Sequence, residues 1–376
     1  MAKSFTDKLE GDPNRQRKLL ALDGGGIRGM ISVEILAEIE ALLQKRLRRG
    51  DDFVLADYFD YIAGTSTGAI IATCLSLGMR VSDVRDFYIA SGPAMFNRAG
   101  WLRQLHAKFE DEPLARKLRE VIGEHATLGS GKLRTLLMIV LRNATTDSPW
   151  PLSNNPHAKY CARDRDDCNL DLPLWQLVRA STAAPTYFPP EVVDVGKQRF
   201  IFVDGGMTMY NNPAFQLFLM ATVEPYNLRW PTGRDQMLLV SIGTGTAASA
   251  NADLRPGQMN LLYNASSIPS ALMFAALNEQ DFLCRTFGDT LAGDELDSEI
   301  GDMIGAGGPV KEKLFTYVRY NAELTRKGLD ALGLKSIVPE TVQQLDSIQA
   351  IPKLQQVGRA VATQKVKPEH FERFPA

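Results

Sequence analysis

Leu19-Leu20-Ala21-Leu22-Asp23-Gly24-Gly25-Gly26-Ile27-Arg28-Gly29 is the stretch from which the fold is read. Four uninterrupted apolar residues make a strand buried on both faces, and the glycines after them make a tight turn. Ile31, Ile35, Ile39, Leu42 and Leu43 then recur at helical spacing. Lys45, Arg46, Arg48 and Arg49 crowd the end of that helix before Gly50, where positive charge suits the C-terminal dipole and glycine suits the stop. The same order returns at once. Tyr58-Phe59-Asp60-Tyr61-Ile62-Ala63 reads as a second strand, Gly64-Thr65-Ser66-Thr67-Gly68 as a turn, and Ala69 to Leu75 as the start of a helix.

Further apolar strands are expected at Leu136 to Leu141, Phe200 to Val203 and Met237 to Ile242, with helical stretches between them. Apolar strands bounded by glycine and alternating with helices specify an α/β fold, a largely parallel sheet covered on both faces. Residues 143–170, rich in Asn, Asp, Pro and Ser, read as an irregular insertion with room for a short hairpin. From about residue 251 the pattern changes, and Ile268 to Arg285 and Leu314 to Leu332 both have an amphipathic helical look. This divides the chain into a catalytic unit over 18–250 and a mainly helical extension over 251–376, packed on the core as a cap or a regulatory element.

Composition excludes several functions. With 376 residues and 45% hydrophobic content, the chain buries roughly 75% of its unfolded surface and needs neither metal nor disulfide to build a core. Lys plus Arg is 42 against 44 Asp plus Glu, without the positive excess that nucleic acid polymers demand. The four cysteines form no CxxC pair, so zinc and redox spacings are absent and reduced thiols are expected. The N-terminus is polar and no apolar run reaches the ~20 residues of a spanning helix. The expectation is a cytoplasmic protein whose membrane contact is peripheral, at the inner surface.

The chemistry is concentrated in short segments. Gly64-Thr65-Ser66-Thr67-Gly68 fits G-x-S-x-G between a strand and a helix, where glycines permit a strained turn that exposes Ser66 as a nucleophile. An ordinary glycine turn with a capping hydroxyl is the competing reading. The amides of Gly24, Gly25 and Gly26 converge in a loop suited to an anion. Gly24, Gly26 and Gly29 also resemble the dinucleotide spacing G-x-G-x-x-G, but a serine turn one strand later favours an oxyanion hole. Arg28 either adds positive charge there or pairs on the surface. Serine needs a base, and none of His106, His125, His157 and His370 lies at the end of a core strand. Asp204-Gly205-Gly206 does, after Phe200 to Val203. Asp204 serves as base directly if burial raises its pKa; otherwise it caps its own turn. Ala183-Ala184-Pro185 and Pro189-Pro190 read as a rigid positioning turn.

Asp23 to Gly29, Gly64 to Gly68, Ser181 to Pro190 and Asp204-Gly205-Gly206, in this order, resemble the four blocks of the patatin-like phospholipases, and the likeness runs from about residue 18 to 246 through Ser241-Ile242-Gly243-Thr244-Gly245. The resemblance implies a three-layer α/β/α hydrolase. Its catalytic pair is Ser66 and Asp204, its oxyanion hole Gly24, Gly25 and Gly26, with Arg28, Gly64, Gly68, Gly205 and Gly206 supporting the motifs. It implies hydrolysis of membrane phospholipid or galactolipid esters without metal or cofactor. Tyr317-Val318-Arg319-Tyr320-Asn321 is similar to segments of bacterial relatives that act as antiphage effectors. Those are activated by a cyclic dinucleotide, with assembly into a homo-oligomer. An acyltransferase using the same pair is a further alternative.

Overall fold

The computed structural model describes residues 4–10, 15–96, 113–185, 188–247 and 261–375. Strand β1 (Arg17–Leu22) is buried throughout. Leu19 and Ala21 enter one hydrophobic core and Leu20 and Leu22 the other, as the two-residue period of a strand requires. The chain passes through the glycine loop and one 3₁₀ turn, Gly26–Arg28, into helix α1 (Gly29–Arg46). Strand β2 (Tyr61–Thr65) leads into α2 (Thr67–Ser76) in the same manner. Then come β3 (Leu136–Asn143), β4 (Ser148–Ser153), α3 (Leu174–Ser181), β5 (Glu191–Val195) and β6 (Gln198–Asp204). They are followed by α4 (Ala214–Thr222), β7 (Met237–Ile242), α5 (Leu261–Phe287), β8 (Asp289–Ala292), β9 (Thr316–Tyr320) and α6 (Ile351–Lys365).

Among the described residues the strands form one sheet of order β5-β6-β3-β2-β1-β7-β9-β8, with β4 beside β3. From β3 to β8 the neighbours along this path run parallel, while β4 and β6 oppose β3 and β5 opposes β6. The sheet is therefore mixed but mostly parallel, with helices on both faces. One core gathers apolar residues of α1, α2, α3 and α6, the other those of α4 and Cys284 of α5. Among the described residues no helix is long and apolar enough to cross a membrane.

Two expected elements differ. Tyr58 closes a short helix, Leu55–Tyr58, and the strand begins only at Tyr61. The Asp60 carboxylate accepts from the Lys18 amide at 2.8 Å and from Arg15 at 2.9 Å, which ends the helical segment and sets Tyr61 opposite Leu19. Leu314 to Leu332 is not one helix. Thr316–Tyr320 is a strand buried on both faces and Arg326–Ala331 a separate short helix. A strand inside a sheet shows no alternation, and the buried charge of Arg319 broke the apolar run that would have marked it. The segment 143–170 opens with a hairpin turn that brings β4 back antiparallel against β3.

The sheet also brings two distant chain segments together. Residues 138–140 of β3 pair with both β2 and β4, and residues 141–143 with both β4 and β6. A strand has two flanks, so β2 and β6 share one of them end to end. Thr65 lies opposite Val140 and Asp204 opposite the next residue, Leu141. The residue after Thr65 therefore meets the end of β6.

Candidate active site

Ser66 turns the chain from β2 into α2 with φ 53° and ψ −122°. A non-glycine residue with positive φ costs on the order of 1–3 kcal/mol and persists only where neighbours over-determine it. Here they do. The Ser66 amide donates to Ser181 Oγ at 2.9 Å, Ser181 Oγ donates to the Val140 carbonyl at 2.7 Å, and the Ser66 carbonyl accepts from the Ala69 amide at 2.8 Å. The flanking glycines are required by contact. A Cβ on Gly64 would stand 2.1 Å from the Gly68 carbonyl oxygen, and one on Gly68 would stand 2.3 Å from that of Leu22.

The Ser66 hydroxyl donates to Asp204 Oδ2 at 2.7 Å. Asp204 Oδ1 accepts from the Gly206 amide at 2.7 Å, and the Asp204 amide donates to the Ala183 carbonyl at 3.0 Å. Ser66 is 9% exposed and Asp204 6%. Burial pushes the Asp204 carboxyl up to about 6, opposed by the Ser66 hydroxyl, the Gly206 amide and the charge of Arg179. A Cβ on Gly205 would stand 2.1 Å from the Val140 carbonyl oxygen, so only glycine lets the chain leave β6 this way.

The glycine loop faces the same point, since a Cβ on Gly24 would lie 3.3 Å from Ser66 Cβ and 2.3 Å from Asn211 Oδ1. The Gly24 amide is engaged, donating to the Asn211 carbonyl at 3.1 Å, while its carbonyl accepts from Thr244 Oγ1 at 2.8 Å. Among the described residues the Gly25 and Gly26 amides donate to no protein acceptor. Gly26 has φ +60°, and the Leu345 carbonyl covers it while accepting from the Ile27 amide at 2.9 Å. Arg28 is half-buried and, among the described residues, forms no ion pair. Its Nε is buried without a hydrogen bond, and burial lowers the guanidinium pKa to about 10 against the raising effect of Asp23.

The histidines stand apart. His125 and His157 are exposed, and His370 Nδ1 lies 2.7 Å from the Tyr320 hydroxyl. His106 lies outside the described residues, as do Thr186 and Tyr187 of the proline-rich block. That block positions the site through Ser181 and Ala183. Neither spacing nor composition singles out Asn211, Thr244 or Arg319, although Thr244 sits inside Gly243-Thr244-Gly245. The Arg319 guanidinium grips the Asp23 carboxylate at 2.9 and 2.5 Å with both groups buried.

The family model for patatin-like phospholipase matches residues 20–218, which hold Ser66, Ser181, Asp204, Asn211 and the whole glycine loop but neither Thr244 nor Arg319. Patatin-like protein 1 of Arabidopsis thaliana is 31% identical over 329 residues, covering 73% of this chain and 75% of its own. A cGAMP-activated phospholipase of Vibrio cholerae is 32% identical over 212 residues, covering 53% of this chain and 56% of its own. Among solved structures, VipD from Legionella pneumophila superposes with a TM-score of 0.37 at 15% identity, over 93% of this chain and 66% of that one. With the family model spanning more than half of its length, the chain belongs to the patatin-like phospholipase family.

Proposed function

We propose that the protein is a serine acyl hydrolase that cleaves fatty acyl esters of membrane phospholipids, with Ser66 as nucleophile and Asp204 as base. The observation that carries this reading is the 2.7 Å hydrogen bond from the Ser66 hydroxyl to the buried Asp204 carboxylate. A carboxylate of pKa about 6 is largely ionised at neutral pH, yet is a stronger base than a solvated one. Asp204 takes the hydroxyl proton as Ser66 Oγ attacks the acyl carbonyl. The Gly25 and Gly26 amides hold the developing oxyanion, and Gly24 forms the wall beside Ser66. Asp204 then gives its proton to the departing lysolipid oxygen. A water activated by the same carboxylate releases the fatty acid from the acyl-enzyme.

A second reading adds a switch. The likeness to the cGAMP-activated phospholipase of Vibrio cholerae supports a lipase held off until a cyclic dinucleotide binds and drives assembly into a homo-oligomer, as an antiphage effector would be. One assay tests both: fatty acid release from phospholipid vesicles by the wild type and Ser66→Ala, with and without a panel of cyclic dinucleotides. Release lost in Ser66→Ala supports the hydrolase, and release confined to samples with a dinucleotide supports the switch. Undiminished release by Ser66→Ala rejects both.

A further inference from the structure

We infer that Arg319 on β9 is a positioning residue that holds the glycine loop, and with it the oxyanion donors, in register with Ser66. The inference rests on the hydrolase reading above and extends the site to a strand that lies about 100 residues beyond the family match. Arg319 Nη1 donates to Asp23 Oδ1 at 2.9 Å and Nη2 to Asp23 Oδ2 at 2.5 Å. Nη1 also donates to Ser241 Oγ on β7 at 2.7 Å. Asp23 is the residue at which β1 becomes the glycine loop, and the Gly25 amide follows two residues later.

A second grip comes from the same strand end. Asn321 Oδ1 accepts from the Gly245 amide at 2.9 Å, and the neighbouring Thr244 Oγ1 donates to the Gly24 carbonyl. Asn321 and Arg319 both press against Gly243, whose Cβ would stand 2.1 Å from Asn321 Oδ1 and 3.1 Å from Arg319 Nη2. Behind the arginine lies a second buried carboxylate, which its Nε faces without a hydrogen bond. Asp281 of α5 lies 3.9 Å from Arg319 Nε and is held by Arg285 at 2.9 and 2.8 Å and by the Tyr317 hydroxyl at 2.9 Å.

Stability alone is a poor reason for this pair. Desolvating two charges offsets most of their attraction, and apolar replacements of similar volume are often as stable. The planar fork of arginine supplies direction, because two parallel hydrogen bonds fix both the position and the tilt of a carboxylate. Oxyanion donors need that precision, since losing one lowers turnover about 10²–10³-fold.

The test compares Arg319→Lys, which keeps the charge but not the fork, with the double variant Asp23→Asn/Arg319→Met, which removes both charges. Each is measured for its melting temperature, for kcat and KM on a soluble p-nitrophenyl ester, and for the rate at which a fluorophosphonate labels Ser66. The expected result is labelling and kcat lower by about 10²-fold in Arg319→Lys at little-changed KM. The double variant is expected to stay slow even where its melting temperature matches the wild type. Full labelling rate and kcat in a folded double variant overturn the inference, whatever Arg319→Lys does. If the wild type is not labelled at Ser66, the hydrolase reading fails first and takes the clamp with it, an outcome separate from equal labelling of all three proteins.

Discussion

Ser181 Oγ accepts a hydrogen bond from the backbone amide of Ser66 at 2.9 Å, 115 residues away in the chain, and donates one to the Val140 carbonyl. The strained turn is thereby tied to α3 and to β3 at once. Ser181→Ala leaves a buried amide and a buried carbonyl unpartnered, each costing about 1–3 kcal/mol. The variant is expected to melt lower and to lose turnover, because relaxation of φ at Ser66 swings its hydroxyl away from Asp204. Unchanged kcat on a soluble ester in Ser181→Ala would remove Ser181 from the account.

The raised pKa of Asp204 predicts the pH dependence of the reaction. The base must be ionised, so kcat/KM on a soluble ester rises from pH 5 to 7 with a midpoint near the value of about 6. A profile flat across that range, or with its midpoint near 4, excludes a buried carboxylate as base.

The same shift has a consequence for stability, with opposite sign. The folded state binds the Asp204 proton more tightly than the unfolded chain, where the carboxyl titrates near its ordinary ~3.9. Its contribution is present below that value and is lost as pH rises through about 6. At pH 7 the ionised buried carboxylate costs about 3 kcal/mol. Asp204→Asn is therefore expected to be inactive yet more stable than the wild type at pH 7, with the difference vanishing near pH 3.5. Denaturant melts of both proteins at the two pH values check this.

Gly25→Ala gives a direct steric prediction. Its Cβ would stand 2.1 Å from Thr244 Oγ1 and 2.6 Å from Thr244 Cβ, so the loop or the Thr244 segment must move. Displacing an oxyanion donor raises the barrier by about 2.7–4 kcal/mol. Turnover should fall by about two to three orders of magnitude with the melting temperature much less affected. Near-normal turnover in Gly25→Ala would exclude this loop from the oxyanion hole.

Much of this architecture is legible in the sequence because short-range chemistry dictates it. Strand β1 and its glycine loop follow from four apolar residues and three glycines, and β7 has the bounds Met237 and Ile242 that its apolar run gives. The turn at Ser66 follows from glycines that nothing larger could replace. What escaped reading depends on contacts between distant residues. Strand β9 carries a buried arginine whose partner, Asp23, lies 296 residues earlier, and no local pattern reveals such a pair. Asn211 and Thr244 act by pressing on the glycine loop, a role set by the packing of β7 and the segment after β6 rather than by their own neighbours. Arg28, which by sequence alone suits a surface pair equally well, is half-buried with its Nε out of solvent, because α1 begins inside the core.

The central claim is that Ser66 carries the acyl group. The measurement that meets it most directly is mass spectrometry of the peptide containing Ser66 after rapid acid quench during turnover of a phospholipid or p-nitrophenyl ester. The account predicts an acyl mass increment on Ser66 that builds up in the wild type and is absent in Ser66→Ala, together with loss of product in that variant. An acyl group on another residue, or undiminished turnover by Ser66→Ala, would contradict it.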